Sequence, residues 1–134
     1  MHIGIPKETR DGETRVAATP ETVKKYVGGK HTVVVERGAG SAARYLDDAY
    51  EAAGATLGTA QDALGAELVM KVRAPSPAEL PQMKSGTIVI GMLDPFDAEG
   101  LQQMAGAGLV GFALEAAPRI TRAQSLDVLS SQAN

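Results

Sequence analysis

Thr32-Val33-Val34-Val35-Glu36-Arg37-Gly38-Ala39-Gly40-Ser41-Ala42-Ala43 sets a run of β-branched residues directly before a glycine-rich stretch. The first half reads as a strand and the second as the turn that leaves it. Working outward, similar short apolar runs recur at His2 to Ile5, Ala55 to Leu57, Leu68 to Val72, Thr87 to Met92 and Leu109 to Leu114. Helical patterns lie between them. Thr19 fits an N-cap with Pro20 at the first helical position, Val23, Tyr26 and Val27 share one face, and Gly28-Gly29 ends the segment. Further helices are expected over Asp47 to Ala53, Ala60 to Leu64, Pro77 to Met83 and Ala98 to Ala105. Strands alternating with helices predict an α/β fold with a mostly parallel sheet flanked by helices. No repeat, low-complexity tract or linker divides the chain, so one subdomain is expected.

The glycines themselves match G-x-G-x-x-A, the outline of a dinucleotide-binding loop. That loop needs a helix opening directly on the glycines, so that its first amides meet a pyrophosphate, and an acidic residue at the end of the next strand about 20 residues on. Here Tyr45-Leu46-Asp47-Asp48 intervenes, and the strand Ala55-Thr56-Leu57 runs into Gly58. A plain glycine turn is the expectation.

Composition narrows the chemistry. The 134 residues contain no cysteine and only two histidines, His2 and His31, which excludes disulfides and thiolate ligands and leaves no metal site to expect. The net charge of −3, with no clustered Lys/Arg face, speaks against nucleic acid as a partner. No apolar run approaches the ~20 residues of a membrane span; Leu109-Val110-Gly111-Phe112-Ala113-Leu114 is closed by Glu115. Met1 to Glu8 lacks the basic and apolar regions of a secretory signal, so a cytoplasmic location is expected.

Three positions between the termini could carry chemistry. Arg15, in a segment of little periodicity, could grip a carboxylate or phosphate with its planar fork, or simply pair with Glu8 or Glu13. Lys71 sits near the C-terminal end of an otherwise apolar strand, where open α/β sheets collect ligands, although it could equally reach out to solvent. Asp94 could add a carboxylate at the same edge, but Asp94-Pro95 also fits a helix N-cap with proline behind it, the favoured reading.

The densest polar run is Pro118-Arg119-Ile120-Thr121-Arg122-Ala123-Gln124-Ser125-Leu126-Asp127-Val128-Leu129-Ser130-Ser131-Gln132-Ala133-Asn134. Thr121 and Gln124 form a capping-box pattern, which predicts a helix from about Arg122 with Ala123, Leu126, Leu129 and Ala133 on its apolar face. Asp127 and Ser130, three apart, would share one side, with Arg119 and Gln124 approaching from the preceding loop. Such a set suits a flat polar ligand such as a carboxamide-bearing ring. The helix stops early, which makes the chain look like part of something larger.

Met1 through Pro20, then Val35-Glu36-Arg37-Gly38-Ala39-Gly40, then Lys71-Val72-Arg73-Ala74-Pro75, resemble the N-terminal domain shared by alanine dehydrogenases and the alpha subunit of proton-translocating NAD(P) transhydrogenase. The resemblance spans the whole chain, and Pro118 to Asn134 resembles the transhydrogenase branch in particular. It implies a flavodoxin-like or Rossmann-like sheet and hydride exchange between NAD(H) and NADP(H), coupled to proton movement through a membrane domain. By that resemblance Arg119, Gln124, Asp127 and Ser130 pack around the nicotinamide of NAD(H), with no residue needed as acid or base. Arg15 and Lys71 match positions that bind the oxoacid in alanine dehydrogenases, and Asp94 stands where those enzymes carry a catalytic histidine. An ordinary carboxylate does not trade protons near neutrality as an imidazole does, which disfavours the deaminase chemistry. The implied partners are the rest of the alpha subunit, a beta subunit holding NADP(H), a second copy of the soluble domain and, through partner segments only, the inner membrane. The glycine-rich NAD-binding subdomain of the family has no counterpart in these residues, so the chain by itself is expected to bind NAD poorly and to catalyse nothing. The readings left open are an alanine dehydrogenase-like amino-acid dehydrogenase and a non-catalytic α/β assembly module.

Overall fold

A computed structural model describes residues 1–94 and 96–116. Six strands, β1 (His2–Ile5), β2 (Thr32–Glu36), β3 (Thr56–Gly58), β4 (Leu68–Arg73), β5 (Ile88–Met92) and β6 (Val110–Ala113), form one sheet in the order β3-β2-β1-β4-β5-β6. Every neighbouring pair is parallel. That is a Rossmann-like α/β fold. The strand order reverses direction between β1 and β4, the switch point at which such sheets bind ligands.

Alternation along each strand divides the core between two faces. Ile3, Ile5, Val33 and Val35 pack with Val23 of α1 (Pro20–Gly28) and Tyr50 of α2 (Asp47–Ala52). Val69, Val89, Leu109 and Ala113 pack on the opposite side with Leu64 of α3 (Ala60–Leu64) and with Leu101 and Met104 of α4 (Ala98–Gly106). Helix and sheet approach closely where a side chain is missing. A Cβ at Gly4 would collide with the carbonyl of Ala63, and one at Gly91 with the carbonyl of Lys71. On the first face α1 and α2 lie over β2 and β3, while Ile88, Ile90, Met92, Val110 and Phe112 are half-buried.

Thr19 caps α1 by accepting from the Thr22 amide (3.2 Å), with Pro20 at the first turn as expected. Thr59 and Asp62 cap α3 reciprocally, and the bond donated by the Thr59 amide is the main cause holding the Asp62 carboxyl below its usual range. The third strand is shifted one residue, to Thr56–Gly58.

Two helix expectations need correction. Pro77 to Met83 holds only a 3₁₀ turn at Leu80–Gln82. The Leu80 amide still reaches the Ser76 carbonyl (3.2 Å), but Pro81 has no N–H for the next bond and the helix cannot propagate. Likewise Asp94 does not cap α4. Asp97 does, accepting from the Gly100 amide at 3.1 Å, while Asp94 takes a left-handed backbone (φ +51°) and its carbonyl accepts from the Asp97 amide.

Candidate functional site

A cleft of about 520 Å³ opens along the C-terminal edge of the sheet. Its floor is Met70 and Val72 of β4 with Ile90 and Met92 of β5; Arg15 to Ala17 and Thr19 come from the β1–α1 connection. Tyr45, from the segment after β2, and Leu114 and Glu115, from the 3₁₀ turn Leu114–Ala116 after β6, complete the walls. All these contributors leave the same sheet edge, because parallel strands put every outgoing connection on one side.

Lys71 borders this cleft, but it does not reach out to solvent: it is 3% exposed. Its ammonium lies 3.1 Å from Glu79 and 3.4 Å from Glu8. Glu8 also accepts from the amides of Val72 (2.9 Å) and Arg73 (3.1 Å), and Glu79 from the amide of Ser76 (2.8 Å). One buried cation is thus shared by two buried carboxylates, each anchored a second time to backbone. Desolvating three charges is tolerable only with this degree of hydrogen bonding. Glu79 is delivered by the broken helix described above, so the failure of that helix is what places it.

Arg15 pairs with Glu13, one of the two partners that spacing allows, through Nε (2.8 Å) and a terminal nitrogen (2.9 Å). Arg73 approaches the same carboxylate at 3.6 Å. The hydrogen bond from the Arg15 side chain, chiefly, holds the Glu13 carboxyl at about 2 and raises the pKa of Arg15 itself. The fork is therefore oriented at the cleft wall before any ligand arrives.

The strand ends share a further pattern. Glu36 accepts from the Lys7 amide (2.8 Å), Glu8 from Val72 and Arg73, and Glu115 from Leu93 (2.9 Å) and Asp94 (2.7 Å). In dinucleotide-binding domains such outgoing amides face phosphate. Here glutamates of the chain itself occupy them, and the Gly38 amide goes to Asp47 (3.0 Å). Gly38 to Ala43 closes into a turn and a 3₁₀ helix (Ser41–Ala43), without a helix opening on the glycines, as the sequence indicated. The cleft has the size and apolar floor that a nicotinamide ring needs. Among the described residues, these strand-end amides form no free cradle for a diphosphate.

The structure brings Arg15, Lys71 and the residue-94 loop to one edge. Glu8, Glu79, Glu115 and Tyr45 were not singled out as site residues from sequence, since nothing in their local pattern distinguishes them from surface positions. Arg119, Gln124, Asp127 and Ser130 lie outside the described residues. Among the described residues no cluster of His, Cys, Asp and Glu forms a metal site, and no helix is long and apolar enough to cross a membrane.

A doubly wound parallel sheet with a ligand-sized cleft at its switch point defines a Rossmann-like α/β domain. Its residues 4–134 match the family model described as alanine dehydrogenase/PNT, N-terminal domain, and the chain belongs to that family. It is 44% identical to the first part of NAD(P) transhydrogenase subunit alpha from Rhodospirillum rubrum, a match covering all of this chain and 37% of that protein. Superposition on the crystal structure of transhydrogenase from Sinorhizobium meliloti gives a TM-score of 0.85 at 50% identity, covering 98% of this chain and 40% of that one. A solved L-alanine dehydrogenase gives 0.81 at 36% identity, covering 84% and 32%. The chain thus spans less than half the length of each.

Proposed function

We propose that this domain is the nicotinamide-side half of the NAD(H)-binding domain of a proton-translocating NAD(P) transhydrogenase. Its cleft would take the ring, while the diphosphate lies on a second, glycine-rich subdomain of the alpha subunit. The observation that carries this division is the occupation of the strand-end amides by Glu36, Glu8 and Glu115: the described edge has room for a ring, and its amides are already taken. NAD(H) supplies the hydride chemistry when bound. The chain's own residues bind and orient: Arg119, Gln124, Asp127 and Ser130 around the carboxamide, with Arg15 and Lys71 at the cleft wall. NADP(H) sits on the beta subunit, the soluble domain pairs with a second copy, and proton movement belongs to membrane segments of partner subunits, which hold this domain at the cytoplasmic side of the inner membrane. Asp94 at the rim, in place of an imidazole, favours this reading over an amino-acid dehydrogenase.

The test is a polypeptide in which this chain continues into a subdomain bearing G-x-G-x-x-G after a strand. NADH binding followed by calorimetry is expected in that protein, with affinity weakened at least tenfold when Arg119 and Asp127 are both replaced by Ala. Unchanged affinity in the double variant, or alanine-dependent reduction of NAD, would overturn the proposal.

A further inference from the structure

We infer that Glu115 is a positioning residue that sets one wall of the cleft. Its carboxylate spans two strand exits. It leaves the sheet at the end of β6, yet both its oxygens are used on β5, accepting from the consecutive amides of Leu93 (2.9 Å) and Asp94 (2.7 Å). Between those amides the backbone turns into the left-handed region at Asp94 (φ +51°), a conformation that costs an L-residue energy and persists only when its surroundings hold it. Leu93 is buried in the core on one side of this clamp, and on the other side the loop carries Asp94 and the fully exposed Phe96 (95%). Glu115 itself lines the cleft beside Leu114.

The clamp therefore fixes, through one side chain, where the residue-94 loop stands relative to the exit of β6. Residue 115 lies only four positions before Arg119, so the same contact also fixes the start of the segment assigned above to the nicotinamide. This last step rests on the proposed function; the fixing of the loop does not. Glutamine at 115 is the discriminating substitution. It keeps the size, but its Oε1 can serve only one of the two amides and its NH₂ faces the other donor to donor.

Because the chain has no cysteine, labels can be placed uniquely. Spin labels at Lys24→Cys on α1 and Phe96→Cys on the loop, both exposed, report the loop position by pulsed electron resonance. A single narrow distance distribution is expected in the wild-type background and a broadened one with Glu115→Gln. In the extended polypeptide described above, Glu115→Gln should weaken NADH binding about tenfold while the thermal midpoint moves little, a split that a merely structural contact does not produce. Equal distributions with and without Glu115→Gln would overturn the clamp, as would unchanged NADH affinity in a variant whose loop has broadened. If the extended wild-type protein fails to bind NADH, the proposed function falls and the clamp is decided by the distance measurement.

Discussion

Lys71 shows how one side chain ties together three stretches of sequence. Its charge is satisfied by Glu8 after β1 and Glu79 from the 3₁₀ connection, at 3.4 and 3.1 Å. Lys71→Met would leave two buried carboxylates without their cation, and removing one member of such a group costs on the order of 3–5 kcal/mol. Urea unfolding monitored by circular dichroism checks this; a loss below about 1 kcal/mol would mean that the cluster is not paired in solution. Glu13 gives a pH-dependent counterpart. Its carboxyl is held at about 2 against an ordinary 4.5, mainly by the Arg15 side chain. A lowered carboxyl pKa stabilises the folded form above the unfolded value, so this contribution is complete above about pH 4.5 and is lost as pH falls toward 2. Carbon-13 titration of Glu13 should show the low midpoint, and Arg15→Ala should return it toward 4.5. A midpoint that ignores Arg15→Ala would show that the pair does not persist.

At the scale of elements, close approach rather than propensity decides where helices sit. Gly4 lets β1 meet the Ala63 carbonyl at the end of α3, so Gly4→Ala should destabilise the domain by ~1–3 kcal/mol through overpacking, despite alanine being the better-ordered residue elsewhere. Thermal denaturation of Gly4→Ala beside Gly12→Ala isolates the steric part: Gly12 has open space around its would-be Cβ and only its positive φ to lose. Equal losses would show that the contact with Ala63 is not limiting. The elements themselves were largely legible. Each strand starts and ends within one residue of its expected position, and Thr19-Pro20 marked the start of α1 because a cap is a local signal. The errors fell where a local signal had a competitor. Pro81 broke the helix expected over Pro77 to Met83, and Asp97 took the capping role from Asp94 three residues later.

For the molecule as a whole, the consequential feature is what the sheet edge offers. With the outgoing amides of Lys7, Val72, Arg73, Leu93 and Asp94 already bonded to glutamates, inorganic pyrophosphate or ADP should leave their NMR resonances unmoved at millimolar concentration. Specific shifts at those five amides would show the edge to be a phosphate cradle after all. Within the cleft, Arg15 and Lys71 could be nominated from residue type and position, since a cation near a strand end is conspicuous in an apolar sequence. Glu8, Glu79 and Glu115 could not, because a glutamate in a connection looks the same whether it faces water or a neighbouring strand's amide.

What the sequence determined by itself is the α/β alternation, the parallel sheet, the helix caps and the family: each is written in periodicity, turn chemistry or motif over a few consecutive residues. What only the tertiary structure decided is the pairing of charges at the sheet edge. Residues 8, 71 and 79, or 93, 94 and 115, meet through strand order and register, and strand order is fixed by burial summed over both faces of the sheet rather than by any short stretch of chain.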